Sequence, residues 1–297
     1  MQMLTGNVLE KLIFNNVINE TTTDLLTMAF KCGLFVAGGF ADAVASYRLS
    51  LENLKFYTYC RMSMVEYVHA CNDMKLNCQR KIQGDIDLWA ATTADCDRFL
   101  EAAMSHRHVI VERSQANWGY NIFCFKPHAD HMQKVQLITE VLMEPDKVSH
   151  NFDIVNAMNT IVDDKLYVHD RWWDLRASAE LSLVETQMKG AASIRRIAKW
   201  KKFPHKYRAI HPDSHHIIDD LVRCIIEKDE LNHVVNFENY LKDDVAESAF
   251  QHINQYLSWL FPCLRPETLL ALSAYDNSCN RVALDALLDR VMVPQGT

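Results

Sequence analysis

Apolar positions recur at helical spacing at both ends of the chain and in short alternating runs through its middle. Val8, Leu9, Leu12 and Ile13 open a stretch over 1–33 that reads as helical. Asn19-Glu20-Thr21-Thr22 supplies an N-cap before Leu25, Leu26, Met28, Ala29 and Phe30, and Gly33 a stop. Leu34-Phe35-Val36-Ala37 is a brief apolar run ending in Gly38-Gly39, after which 40–47 regains a helical period. Residues 51–80, rich in Met and Tyr, predict one or two helices with those side chains filling a core. A strand is expected over 82–90 and a helix over 95–105. Further strands are expected at 108–111, 120–125, 135–138, 152–158 and 166–169, the last at an edge, with a helical turn at 144–146. From 170 the period becomes helical: 172–186, 191–202, 214–227, 237–260 and 267–291, punctuated by Pro204, Pro212, Pro262 and Pro266. The pattern predicts an α+β part over 1–170 and an all-helical part over 171–297.

Composition narrows the classes. Eight glycines in 297 residues are few, which suits helices joined by short loops and makes Gly38, Gly39 and Gly84 conspicuous. A net charge of −7 argues against broad non-specific nucleic-acid binding while leaving room for a local basic patch. Nine cysteines, scattered and odd in number, with no signal-peptide pattern, predict reduced thiols in a cytosolic compartment. No apolar run reaches the roughly 18 residues of a membrane span, so no membrane partner is expected. His205, His211, His215 and His216 cluster without a zinc spacing and predict a surface or a helix start.

Candidate chemistry centres on Gly84-Asp85-Ile86-Asp87-Leu88-Trp89. On a strand Asp85 and Asp87 share one face while Ile86 and Leu88 share the other. Adjacent carboxylates repel, and a hard divalent cation with oxygen ligands relieves the repulsion. Strand, Gly38-Gly39 and helix together fit either a tight turn or a loop whose bare backbone approaches a phosphate. Asp153 stands at the start of another apolar run, so three acids would converge if their strands were neighbours. Gln136 is expected beside Asp153. Lys189, Arg195, Arg196, Lys199, Lys201, Lys202, Lys206 and Arg208 make 189–208 basic with no acid between. The spacing of Arg195, Arg196 and Lys199 clusters cations on one helix, as a phosphate clamp, a nucleic-acid contact or a solvated face. Trp200 beside them reads as a core residue or a base-stacking one. Ser182 and Ser193 are weaker candidates for touching phosphate.

Val36-Ala37-Gly38-Gly39 with its helix, Gly84-Asp85-Ile86-Asp87-Leu88-Trp89 and Phe152-Asp153-Ile154-Val155 together resemble the DNA polymerase β-like nucleotidyltransferase superfamily, most closely nucleotidyltransferase-like proteins of bacteriophages. The resemblance spans roughly residues 30–205. It implies a nucleotidyltransferase-like mixed sheet core, with 51–80 as a helical insertion, and a C-terminal helical domain. It implies that Asp85, Asp87 and Asp153 are catalytic and bind Mg²⁺ or Mn²⁺, and that Gly38 and Gly39 hold the triphosphate. Arg196 and Lys199 would add nucleotide contacts. The implied reaction moves an NMP from an NTP, with ATP expected, to a hydroxyl of a protein, an RNA end or a small molecule. Two alternatives stand beside it: a nucleotidyltransferase fold kept as a silent binding or structural module, and a nucleic-acid-binding accessory protein using 189–208.

Overall fold

The computed structural model describes residues 2–4, 18–46, 85–115, 117–125, 132–201, 209–228 and 258–275. Gly84 and the helical expectations at 8–13 and 51–80 lie outside the described residues, as do 237–257 of the helix expected over 237–260 and 276–291 of that expected over 267–291. The chain forms two compact units. The first comprises Met1–Phe152 and Asn156–Trp172, the second Asp153–Val155 and Trp173–Thr297.

The first unit is a mixed eight-stranded sheet with helices, an α+β fold. Its strands are β1 (Gln2–Leu4), β2 (Phe35–Ala37), β3 (Ile86–Trp89), β4 (Val109–Arg113), β5 (Gly119–Phe125), β6 (Met132–Ile138), β7 (Thr160–Val162) and β8 (Lys165–Val168). They lie in the order β1-β8-β7-β2-β3-β6-β5-β4, with β3 and β6 parallel and the other neighbours antiparallel. The helices are α1 (Glu20–Lys31), α2 (residues 39–46) and α3 (Thr93–Met104).

Alternation decides which side of the sheet becomes core. Ile86 and Leu88 of β3, Ile122 and Cys124 of β5, and Val135 and Leu137 of β6 are all inaccessible to solvent. Period-2 strands put these residues on one face, and α1 and α3, which pack on each other and against β5 and β4, cover it. Burial raises the Cys124 thiol to about 12, with the Thr22 hydroxyl pulling weakly the other way. Asn19 caps α1 by accepting from Thr22 N at 2.7 Å, and Thr92 caps α3 by accepting from Asp95 N at 3.2 Å. Gly33 ends α1 at φ +87°.

Several expectations are corrected. The N-terminal residues Gln2–Leu4 are not helical: they pair with β8, which is thereby an inner strand instead of an edge. The strand expected over 152–158 does not form. Ile154 makes one isolated bridge to Leu183, and Val155–Ala157 closes into a 3₁₀ turn. Ile154 and Val155 are buried by these contacts without a ladder, so their apolar character had suggested a strand.

The second unit is not all-helical. Helix α4 (Trp172–Ser178), whose first residue belongs to the first unit, stops where Ala179 takes φ +56°. The two-residue strands β9 (Glu180–Leu181) and β10 (Ala209–Ile210) pair in parallel. Helices α5 (Ala191–Lys201), α6 (His215–Glu227) and α7 (Pro266–Tyr275) follow. Helices α6 and α7 pack together. Arg265, just before α7, holds buried Asp219 of α6 through its backbone N–H at 2.7 Å and its guanidinium at 2.5 Å.

Candidate functional site

The sheet register builds one site directly. Tyr167, Thr160, Ala37, Asp87, Gln136, Asn121 and Glu112 are successive cross-strand partners, so they form one row across seven strands. This row lies on the face opposite Ile86 and Leu88. Asp87 and Gln136 there are only half-buried. The strand pattern of Asp87, Leu88 and Trp89 therefore does what the sequence predicts, placing the carboxylate outward and the leucine in the core.

Strand β2 brings the glycine loop to the same place. Ala37 pairs with Asp87, so Gly38 emerges beside that carboxylate. A β-carbon on Gly38 would stand 3.5 Å from Asp87 Oδ2 and 3.7 Å from Phe152 Cε1. Gly38 sits at φ +90°, which favours glycine. Its N–H donates to Ala157 O at 3.1 Å, and its carbonyl accepts from Asp42 N at 3.1 Å as α2 begins. Gly39 is exposed, and a β-carbon there would meet nothing within 4 Å. The backbone at the N-terminus of α2 is thus open to an approaching group. Helix α2 is anchored from behind, where the Trp172 indole donates to buried Asp42 at 2.8 Å. Trp89 and Phe152 meet edge-on, with ring centroids 5.7 Å apart, next to the loop.

Asp85 and Asp87 are linked through two side chains of β6. Lys134 Nζ lies 3.6 Å from Asp85 Oδ2. Oriented with its nitrogen toward Asp87, the Gln136 amide donates to Asp87 Oδ1 at 3.0 Å and accepts from Lys134 Nζ at 2.8 Å. Gln136 is therefore a neighbour of Asp87, where the sequence had suggested Asp153. Neither Lys134 nor its role was legible, because the parallel pairing of β3 with β6 is non-local.

Asp85 and Asp87 are the oxygen donors that a hard cation such as Mg²⁺ would take here. Two carboxylates share one face at alternate positions, and Mg²⁺ takes few protein ligands, completing its shell with water and phosphate oxygens. Among the described residues no three His, Cys, Asp or Glu side chains form a group that could hold a metal ion. Such an ion would thus rely on non-protein oxygens.

Asp153 belongs to the second unit. It is buried there, and its Oδ2 accepts from Ser193 Oγ at 2.7 Å and from Arg196 Nε at 2.8 Å. Arg196 Nη2 also reaches that oxygen at 2.6 Å, while Lys189 N–H donates to Ser193 Oγ at 2.8 Å. Asp153 thus ties the chain segment before the 3₁₀ turn to the first turns of α5. Arg196, expected as a phosphate clamp, is engaged with Asp153, and Ser193 serves the same knot. Lys199 lies on α5, and its side chain is outside the described set, as are residues 202–208 of the basic segment.

His211, His215 and His216 stand at or just before the start of α6, as the sequence predicts for a helix start, while His205 lies outside the described residues. His211 accepts from Asp213 N at 3.2 Å at the opening of a 3₁₀ turn that leads into α6. No helix among the described residues is long and apolar enough to cross a membrane.

Comparison with known proteins gives one family. A family model described as Gabija anti-defense 2 family protein matches residues 8–177. That span contains Gly38, Gly39, Asp85, Asp87, Lys134, Gln136 and Asp153. No curated protein matches the chain.

Proposed function

The chain belongs to the Gabija anti-defense 2 family, and from that premise we propose that its mixed sheet carries a metal-dependent nucleotidyltransferase site. The observation that supports this most is the adjacency of the Gly38 backbone to the Asp87 carboxylate, with Asp85 two residues earlier beside Lys134. A loop able to hold phosphates and a pair able to hold a hard cation stand side by side, as phosphoryl chemistry requires.

In this reading the open backbone at Gly39 and the start of α2 receive the triphosphate. Mg²⁺, when bound, would neutralise charge on the transferring phosphate and on the leaving group. Asp85 and Asp87 are the residues that would hold it. An acceptor hydroxyl oxygen forms a bond to the α-phosphorus, the bond to the bridging oxygen breaks, and pyrophosphate leaves. The hydroxyl proton passes to water at this solvent-open face. Asp153 enters this reading from its place in the sequence and from the resemblance, and Arg196 and Lys199 from the clustering of cations along one helix. The anti-defense description of the family suggests an acceptor on a component of the defence it counters, with an RNA end or a small molecule as other hydroxyl sources.

One specific observation favours a second reading. Lys134 already stands at Asp85, and Arg196 at Asp153. Carboxylates neutralised by resident cations also suit a fold retained for binding without transfer.

The discriminating experiment incubates the full chain with each α-labelled NTP, Mg²⁺ or Mn²⁺, and candidate acceptors. Label transfer in the wild type, lost in Asp85→Asn and Asp87→Asn variants that stay folded, is the expected result. A well-folded wild type that transfers no label to any acceptor class, yet binds nucleotide, selects the silent module.

A further inference from the structure

The register of β3 against β6 gives the carboxylate pair a resident cation. Ile86 pairs with Val135 and Asp87 with Gln136, which brings Asp85 level with Lys134. The chain of contacts runs Asp85 Oδ2 to Lys134 Nζ at 3.6 Å, Lys134 Nζ to the Gln136 carbonyl at 2.8 Å, and the Gln136 NH₂ to Asp87 Oδ1 at 3.0 Å. The Lys134 and Asp85 side chains are 32% and 41% exposed, so the ammonium faces the same solvent-open side from which a ligand must arrive.

We propose that Lys134 is a specificity-determining residue of this site, turning the Asp85–Asp87 pair away from free divalent cations and toward a divalent cation already carried by a nucleoside triphosphate. The inference rests on the nucleotidyltransferase reading above. Its physics is a difference in sign. An ammonium beside Asp85 repels a bare dication entering the same pair, and the repulsion weakens with salt and exposure without vanishing at this range. A metal–triphosphate complex carries net negative charge, so the same ammonium attracts it. Gln136 fixes the arrangement. Its carbonyl holds the ammonium, and its NH₂ engages Asp87 Oδ1 while Oδ2 faces the Gly38 backbone. The complex would then be met by a cation on the β6 side and by the glycine loop on the β2 side.

The test compares wild type, Lys134→Met and Lys134→Arg as full chains at low ionic strength. Free Mn²⁺ binding is read by electron paramagnetic resonance. Binding of the Mn²⁺ complex of a non-hydrolysable ATP analogue is read by equilibrium dialysis. Lys134→Met is expected to bind free Mn²⁺ about tenfold more tightly and the Mn²⁺–analogue complex about tenfold more weakly, an order of magnitude set by one unit charge near the surface. Lys134→Arg, which keeps the charge, stays close to wild type in both. A merely structural lysine would move both affinities in the same direction. The proposal is overturned if both move together, if neither moves by more than about twofold, or if the tighter Mn²⁺ binding persists after Asp85→Asn and Asp87→Asn are added. The two readings fail separately. Opposed shifts in a chain that transfers no label keep Lys134 and remove the transfer reading, whereas label transfer with unmoved affinities does the reverse.

Discussion

Two neighbouring glycines have different physical reasons to be glycine, and substitution separates them. Gly38 needs its positive φ, so Gly38→Ala strains the loop whatever the space around it. The expected cost is about 1–2 kcal/mol of stability, measured by urea unfolding. Gly39 has no such constraint: a β-carbon there meets open space. Gly39→Ala should therefore leave stability unchanged or raise it by up to about 1 kcal/mol through helix propensity. If the loop receives a triphosphate, the same substitution weakens nucleotide binding, because the methyl group stands where the ligand approaches. Loss of stability in Gly39→Ala, or nucleotide affinity indifferent to it, would contradict the loop's assigned part. The placement of Asp87 on the outer face was legible from alternation alone, and Gly38 and Gly39 stood out through the scarcity of glycine. Lys134 and Gln136 were not legible, since nothing in the sequence pairs residue 87 with residue 136. The strand expected over 152–158 was misread for a similar reason, the apolar residues after Asp153 being buried by one bridge and a 3₁₀ turn.

Elements are held together by close backbone approach as well as by side chains. Gly119 begins β5 opposite Ile138, and a β-carbon on it would lie 1.9 Å from the Leu137 carbonyl oxygen. No rotamer relieves a clash with backbone, so Gly119→Ala must part β5 from β6. We expect a loss of about 3 kcal/mol or more, measured by chemical denaturation. Because β6 carries Lys134 and Gln136, the carboxylate pair should lose its partners along with it. Nothing local marks why residue 119 is glycine, because the reason lies in the neighbouring strand. Long alternating or periodic runs, such as β5, α3 and α6, were legible because each shows its burial pattern locally. The two-residue strands β9 and β10 were not, because so short a pairing leaves no period to detect.

At the scale of the molecule, acid should act on the second unit through Asp219. Burial raises the pKa of this carboxyl, but the Arg265 N–H, the Thr268 hydroxyl and the Arg265 guanidinium together outweigh it, leaving the pKa below its ordinary 3.8. A depressed folded pKa means stability that is present above the unfolded value and lost as pH falls through the folded one. Acid unfolding followed by the helical signal should therefore steepen below about pH 4. Asp219→Asn should lower the melting temperature at neutral pH and flatten that acid limb. An acid limb identical in the two proteins would show that the ion pair does not couple to folding.

The path of the chain has a further consequence. Phe152 ends a segment of the first unit, Asp153–Val155 belongs to the second, and Asn156–Trp172 returns to the first before the second resumes. The chain thus passes between units three times, and the middle visit carries the Asp153–Arg196 pair and the Ile154–Leu183 bridge. A single crossover cannot exchange the second unit as a cassette, because a gene cut after Trp172 leaves its first three residues behind. Recombination between relatives should accordingly preserve the two units as one inherited block, and chimaeras joined at 172 should fail unless 153–155 come from the same parent as the helices they meet.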